Sequence, residues 1–263
     1  MKIKMYQVDA FTDRLFSGNP AAVCILDAWL TETQMQSIAA ENNLAETAFI
    51  VTNDDGYNIR WFTPTVEVEL CGHATLAAAH VIFNHLGDAS DEVIFSSIHS
   101  GELTVRQHNK LLTLDFPADT ITKVATPAAL KEGLGIEPME TWKGKTDYMA
   151  VLPSENDVAT LRPDIAKLGT LDARGVIVTA AGSKVDFVSR FFGPQSGIDE
   201  DPVTGSAHTT LAPYWAGELG KSELTAMQLS ERQGHLWCNH LGDRVKISGY
   251  AVTYLEGMIA ITE

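Results

Sequence analysis

The chain has 263 residues, 45% hydrophobic and 20% charged, with a formal net charge of −15. That length accommodates one large domain or two of roughly 130 residues, each able to bury a core, and the composition is that of a globular protein. The acidic balance argues against nucleic acid or an anionic membrane as partner, because both need concentrated Lys and Arg, but it leaves room for a small anionic substrate held by local dipoles and amides.

The opening MKIKMYQVDAF alternates and predicts a strand. No signal-peptide pattern and no apolar run of about 18 residues is present, so the cytoplasm is the expected location. Thr31-Glu-Thr-Gln34 is a capping-box pattern ahead of a helix with Met35, Ile38 and Ala39 on one face. Leu44 to Val51 predicts a strand, as does Ile59-Arg-Trp-Phe62. Gly72 to Leu86 predicts a helix apolar nearly all round, which belongs inside a wrapping sheet. Strands are expected at 93–95, 101–106 and 111–116, and more in the second half. A helix from Ser206 carries Pro213 beyond its first turn, which predicts a kink or an early end. Cys24, Cys71 and Cys238 are far apart, odd in number and without a CxxC, so they are expected as reduced thiols.

The two halves repeat. GHATLAAAHVIFNHLG (72–87) and GSAHTTLAPYWAGELG (205–220) share five identical positions at an offset of 133, and the same offset pairs Ser97 with Ser230, Gly101 with Gly234 and Leu103 with Leu236. Upstream, Arg60-Trp-Phe-Thr-Pro64 matches Arg190-Phe-Phe-Gly-Pro194 at an offset of 130. The expected architecture is α+β: two pseudo-symmetric domains, 1–118 and 119–263, each a curled sheet around a central helix, with the last strand a candidate to return to the first domain.

Glu46 shares a strand face with Leu44, Ala48 and Ile50. A carboxylate in apolar company is costly unless partnered or functional, and desolvation would raise its pKa toward the range of a general acid/base; the plain alternative is a Glu bonded to nearby amides. Gly72-His73-Ala74 and Gly205-Ser206-Ala207 each open a helix whose first amides and dipole favour an anion. The alternative is two ordinary helix starts, with Ser206 as a cap. His73 is either functional or a capping or core histidine. His208 is a candidate to face solvent. Asp199, Glu200 and Asp201 read as a solvated loop, or Asp201 orients His73. Cys71 is a candidate thiolate at a helix start, but its repeat mate is Thr204, so no thiol pair exists. His80 and His85 are poorly spaced for metal and no HExxH occurs; nor do GxGxxG, GxxxxGK[ST] or GxSxG.

The segments VDAFTDRLFSGNPAAVC (8–24), LAETAF (44–49), RWFTPTVEVELCGHATLAAAHV (60–81), RFFGPQSGIDEDPVTGSAHTTLAPYW (190–215) and QLSERQGHL (228–236) resemble the PhzF-like (phenazine biosynthesis) family, of diaminopimelate epimerase fold, over essentially the whole chain. The resemblance implies two barrel-like domains with the active site in the cleft between them. It implies a glutamate that moves a proton in isomerising trans-2,3-dihydro-3-hydroxyanthranilate, without cofactor or metal. That glutamate falls on Glu46, and the supporting residues fall on His73, Asp201 and Ser206. Asn19, Gly72, Ala74, Gly205 and Ala207 are the implied substrate contacts. Family members are often homodimers, so a homodimer is expected. Related racemases use one cysteine from each half; with Thr204 in the second position, a two-thiol mechanism is not expected. The reading is a cofactor-independent isomerase or epimerase acting on a small carboxylate-bearing substrate. Its alternatives are a racemase using Cys71 opposite Glu46 and a non-catalytic binding protein for a small carboxylate.

Overall fold

In a computed structural model, which describes residues 1–87 and 90–261, the chain divides into two units, 1–115 with the residues from 248 on, and 116–247. The first unit starts with β1 (Lys2–Ala10), antiparallel to β2 (Asn19–Leu26). Helix α1 (Glu32–Asn42) leads to β3 (Glu46–Asn53), parallel to β2, then to β4 (Gly56–Phe62) and the short β5 (Glu67–Val68), each antiparallel to the strand before it. Helix α2 (Gly72–His85) follows, then β6 (Glu92–Ser97), parallel to β4, and the antiparallel β7 (Gly101–His108) and β8 (Leu111–Pro117).

The second unit repeats this order. β9 (Thr122–Val124), α3 (Ala128–Leu134) and β10 (Glu140–Lys143) lead to β11 (Asp147–Val151), antiparallel to β10. After α4 (Glu155–Thr160) and α5 (Ile165–Leu168), β12 (Gly175–Ala181) lies parallel to β11, and β13 (Phe187–Gly193) and β14 (Ile198–Asp201) continue antiparallel. Helix α6 (Gly205–Leu219) precedes β15 (Glu223–Gln228), parallel to β13, then β16 (Gly234–His240), antiparallel to β15, and β17 (Arg244–Gly249). The last strand, β18 (Ala251–Ala260), belongs to the first unit and is antiparallel to its β1.

Local chemistry explains the elements that place the site. The Thr31 side chain accepts from the Gln34 amide while the Gln34 side chain returns the bond, so α1 starts where the capping box puts it and buries Met35, Ile38 and Ala39. Ala74, Ala77, Ala78 and Ala79 are fully buried, and their small side chains let α2 lie close against β1, β2 and β3. Pro213 neither kinks α6 to an end nor shortens it: the helix runs on to Leu219. A proline costs a helix the bond to the carbonyl four residues back. Here the Thr209 carbonyl accepts from the Asp119 amide at 3.1 Å instead, so it is not left bare.

The repeat extends to side chains. Arg60 donates from Nε to Glu67 at 2.7 Å and Arg190 from Nε to Glu200 at 2.6 Å, each a two-pronged pair beside a phenylalanine ring, Phe62 or Phe192. Glu200 is thereby a partner of a buried arginine, not a solvated loop acid. No helix among the described residues is long and apolar enough to cross a membrane.

Candidate active site

On the first unit, three chain segments meet at His73. The first is delivered by Gly18, whose φ is +66° and where a Cβ would fall on the Ala10 carbonyl oxygen, so only glycine makes this turn. The turn sets Asn19, 0% exposed, at the start of β2. The second segment is β3, whose first residue is Glu46, paired with Ala21 of β2. The third is the start of α2. Cys71 is its N-cap and gives no side-chain capping bond, while Thr75 Oγ1 donates back to the Cys71 carbonyl at 2.6 Å.

Asn19 Nδ2 lies 3.2 Å from His73 Nδ1, and Cys71 Sγ lies 3.5 Å from the same nitrogen. An amide N–H aimed at Nδ1 makes that nitrogen an acceptor and puts the ring proton on Nε2. Nε2 is 3.2 Å from Glu46 Oε2, close contact though off the line of a formed hydrogen bond. Side-chain exposure is 6% for His73 and 13% for Glu46, so the carboxylate is the member that reaches solvent. Burial pushes His73 down from 6.5 to about 3, so the imidazole is neutral at working pH. Asn19, expected as a substrate contact, is fully buried and its side-chain amide meets the His73 ring.

The same group includes donor atoms of Glu46, Cys71 and His73 within 4.8 Å of one another, the set of three His, Cys, Asp or Glu residues among those described that is close enough to share an ion. Cysteine, histidine and a carboxylate are zinc-type ligands. Asn19 already occupies Nδ1, so such an ion would have to take the opposite nitrogen.

On the second unit, Asp201 ends β14 and is 9% exposed. Its Oδ2 accepts from Thr204 Oγ1 at 2.6 Å. Gln228, fully buried at the end of β15, accepts from the Thr204 amide at 2.9 Å and donates to the Asp201 carbonyl at 2.8 Å. Gln228 therefore fixes the loop that carries Asp201, a role that nothing in its sequence surroundings marks. The N-cap of α6 is Thr204, so Ser206 is not the cap. Ser206 is exposed within the first turn and accepts from Arg174 Nη2 at 3.0 Å. His208 does not face solvent: it is 0% exposed, its Nδ1 donates to the Thr204 carbonyl at 2.8 Å, and burial lowers it to about 4.

Gly72 and Gly205 open α2 and α6, neither of which is capped by a side chain. Ala74 and Ala207 have buried side chains, so only their backbone is left to meet a ligand. The structure thus gathers Asn19, Glu46, Cys71 and His73 in one constellation of the first unit, and Asp201, Thr204 and Ser206 on one loop and helix start of the second.

A family model described as phenazine biosynthesis-like protein matches residues 8–257. A Pseudomonas aeruginosa protein named as an uncharacterized isomerase is 54% identical over 259 residues, 98% of this chain and 99% of that one. The crystal structure of a PhzF-family phenazine biosynthesis protein from Enterococcus faecalis aligns with a TM-score of 0.96 at 45% identity, covering 99% of this chain and 100% of that one. A hydroxyproline epimerase from Agrobacterium vitis, 9% identical, shares the fold with a TM-score of 0.62 over 100% of this chain and 93% of its own.

Proposed function

The chain is an isomerase of the phenazine biosynthesis-like family, and from that premise we propose that it moves a proton between two carbons of a small carboxylate-bearing substrate, with Glu46 as acid and base and no cofactor. The substrate class is a cyclic or unsaturated amino acid like trans-2,3-dihydro-3-hydroxyanthranilate. The observation that carries the reading is the 3.2 Å approach of a neutral, buried His73 to a carboxylate that keeps 13% of its side chain exposed.

The chemistry balances within the protein and the substrate. Ionised Glu46 takes a proton from a C–H acidified by conjugation, and the electron pair stays in the substrate's π-system. The protonated Glu46 returns the proton at another carbon on the same face. His73 Nε2–H offers its dipole to the ionised carboxylate and stays neutral throughout, with Asn19 holding the ring in that tautomer. Asp201 and Ser206 take part as supporting groups, and the first-turn amides at Gly72, Ala74, Gly205 and Ala207 hold anionic substrate groups.

The racemase alternative needs two bases on opposite sides of a carbon, each about 3–3.5 Å from the reacting atom. Glu46 and Cys71 offer atoms within 4.8 Å of one another, too close to bracket it. The test is proton exchange in D₂O. Wild type is expected to incorporate deuterium at one C–H of a cyclohexadienyl amino acid, read by NMR. Glu46→Gln should lose that by about 10²–10⁴-fold with its fold intact. Undiminished exchange in Glu46→Gln would end the proposal.

A further inference from the structure

We propose that Arg174, on the second unit, is a binding site for the carboxylate of a small organic acid, with the Ser206 hydroxyl as its second donor. This rests on the reading above that the enzyme handles a carboxylate-bearing molecule. Asp147, at the start of β11, has a side chain 3% exposed and accepts from Arg174 Nε at 3.0 Å and Nη2 at 2.5 Å. Nη2 also donates to Ser206 Oγ at 3.0 Å. The guanidinium carbon lies 5.2 Å from the centre of the Phe191 ring, which has room there because the next residue, Gly175, carries no Cβ to meet it. Three separate holds therefore fix the guanidinium plane.

Internal controls separate this arginine from a structural one. Arg60 and Arg190 also sit on phenylalanine rings and grip a glutamate, but their side chains are 16% and 6% exposed. Arg190 spends its remaining Nη1 on the Val158 and Leu161 carbonyls at 3.1 and 2.8 Å. Arg174 is 38% exposed, and its Nη1 has no acceptor among the described residues. A long side chain immobilised with one donor edge in solvent has already lost the entropy that binding would cost it. Ser206, as acceptor for Nη2, keeps its own hydroxyl proton to donate. Asp147 neutralises most of the arginine's charge, so recognition runs through directed hydrogen bonds rather than bare attraction. That chemistry suits a planar carboxylate.

The test compares anthranilate with aniline, the same ring lacking the carboxylate, by titration calorimetry. Wild type should prefer anthranilate on the order of tenfold or more. Arg174→Lys keeps a cation for Asp147 and so protects the fold, and it should cut the preference below about threefold. The double variant Arg174→Gln, Asp147→Asn, neutral at both positions, should do the same. Glu46→Gln should retain the wild-type preference, so failure of the acid/base reading and failure of this one are read separately. A folded Arg174→Lys that keeps the full preference, or a wild type with no preference, would overturn the assignment.

Discussion

Lowering the pH from 7 to 5 should cost the folded protein about 2 kcal/mol through each of His73 and His208. His73 is 5% and His208 0% exposed, and burial holds them down to about 3 and about 4. Unfolded, each titrates near 6.5. Above 6.5 both states are neutral and nothing is at stake. Below it the unfolded chain takes up a proton that the folded chain refuses, so stability falls with pH until the folded values are reached. Each group contributes a slope of about 1.4 kcal/mol per pH unit in that window. The two together remove about 4 kcal/mol by pH 5, a large share of the 5–15 kcal/mol typical of a folded domain. His80, lowered to about 4 by burial and by neighbouring His85, adds to the trend, less strongly because it is partly exposed. Urea unfolding followed by tryptophan fluorescence at pH 7, 6 and 5 measures the slope. His208→Asn keeps a donor for the Thr204 carbonyl but cannot titrate, and it should flatten the slope by about 1.4 kcal/mol per pH unit. An unchanged slope in that variant would show that His208 is not held neutral by burial.

Asn19→Leu removes the donor that fixes the His73 tautomer; deuterium exchange should fall on the order of tenfold or more with KM little changed, a cost of about 1–3 kcal/mol for an unsatisfied buried nitrogen. Steady-state kinetics separates this from a substrate contact, whose loss would raise KM instead. Gly18→Ala should be destabilising by more than about 1 kcal/mol, since the new Cβ meets a backbone oxygen in a left-handed turn; a melting temperature equal to wild type would refute it.

Much of the scaffold is legible in residue order. β1 alternates, α1 announces itself by its capping box, and the uniform apolarity of α2 points to a buried helix. Helices α3, α4 and α5 are seven, six and four residues long, too short for a 3.6-residue period to register. Pro213 misleads because its cost depends on the Thr209 carbonyl, and the Asp119 amide that meets it lies far away in sequence. The site divides in the same way. Glu46 stands out as a carboxylate in an apolar strand. The contact of Asn19 does not, because its partner His73 lies in another element. Arg174 is a lone cation before a strand, and Asp147 is 27 residues away; only the parallel register of β11 and β12, which sets Asp147 opposite Gly175, joins them.

Comparison of the two halves separates scaffold from chemistry. Some matched positions hold the fold: Arg60 with Glu67 and Arg190 with Glu200 make the same grip, and Thr75 and His208 both bond back to the N-cap carbonyl of their helix. Three positions that differ lie at the candidate sites. Glu46 opens β3, and Gly175 opens β12 at the matching register, so the second half has no carboxylate there. His73 is matched by Ser206 and Cys71 by Thr204. A two-base mechanism built on symmetry needs an acid or thiol at matching positions of both halves. The first half keeps a carboxylate and an imidazole, suited to carrying a proton; the second keeps a hydroxyl beside a clamped guanidinium, suited to holding an anion. That asymmetry favours one base that both removes and returns the proton.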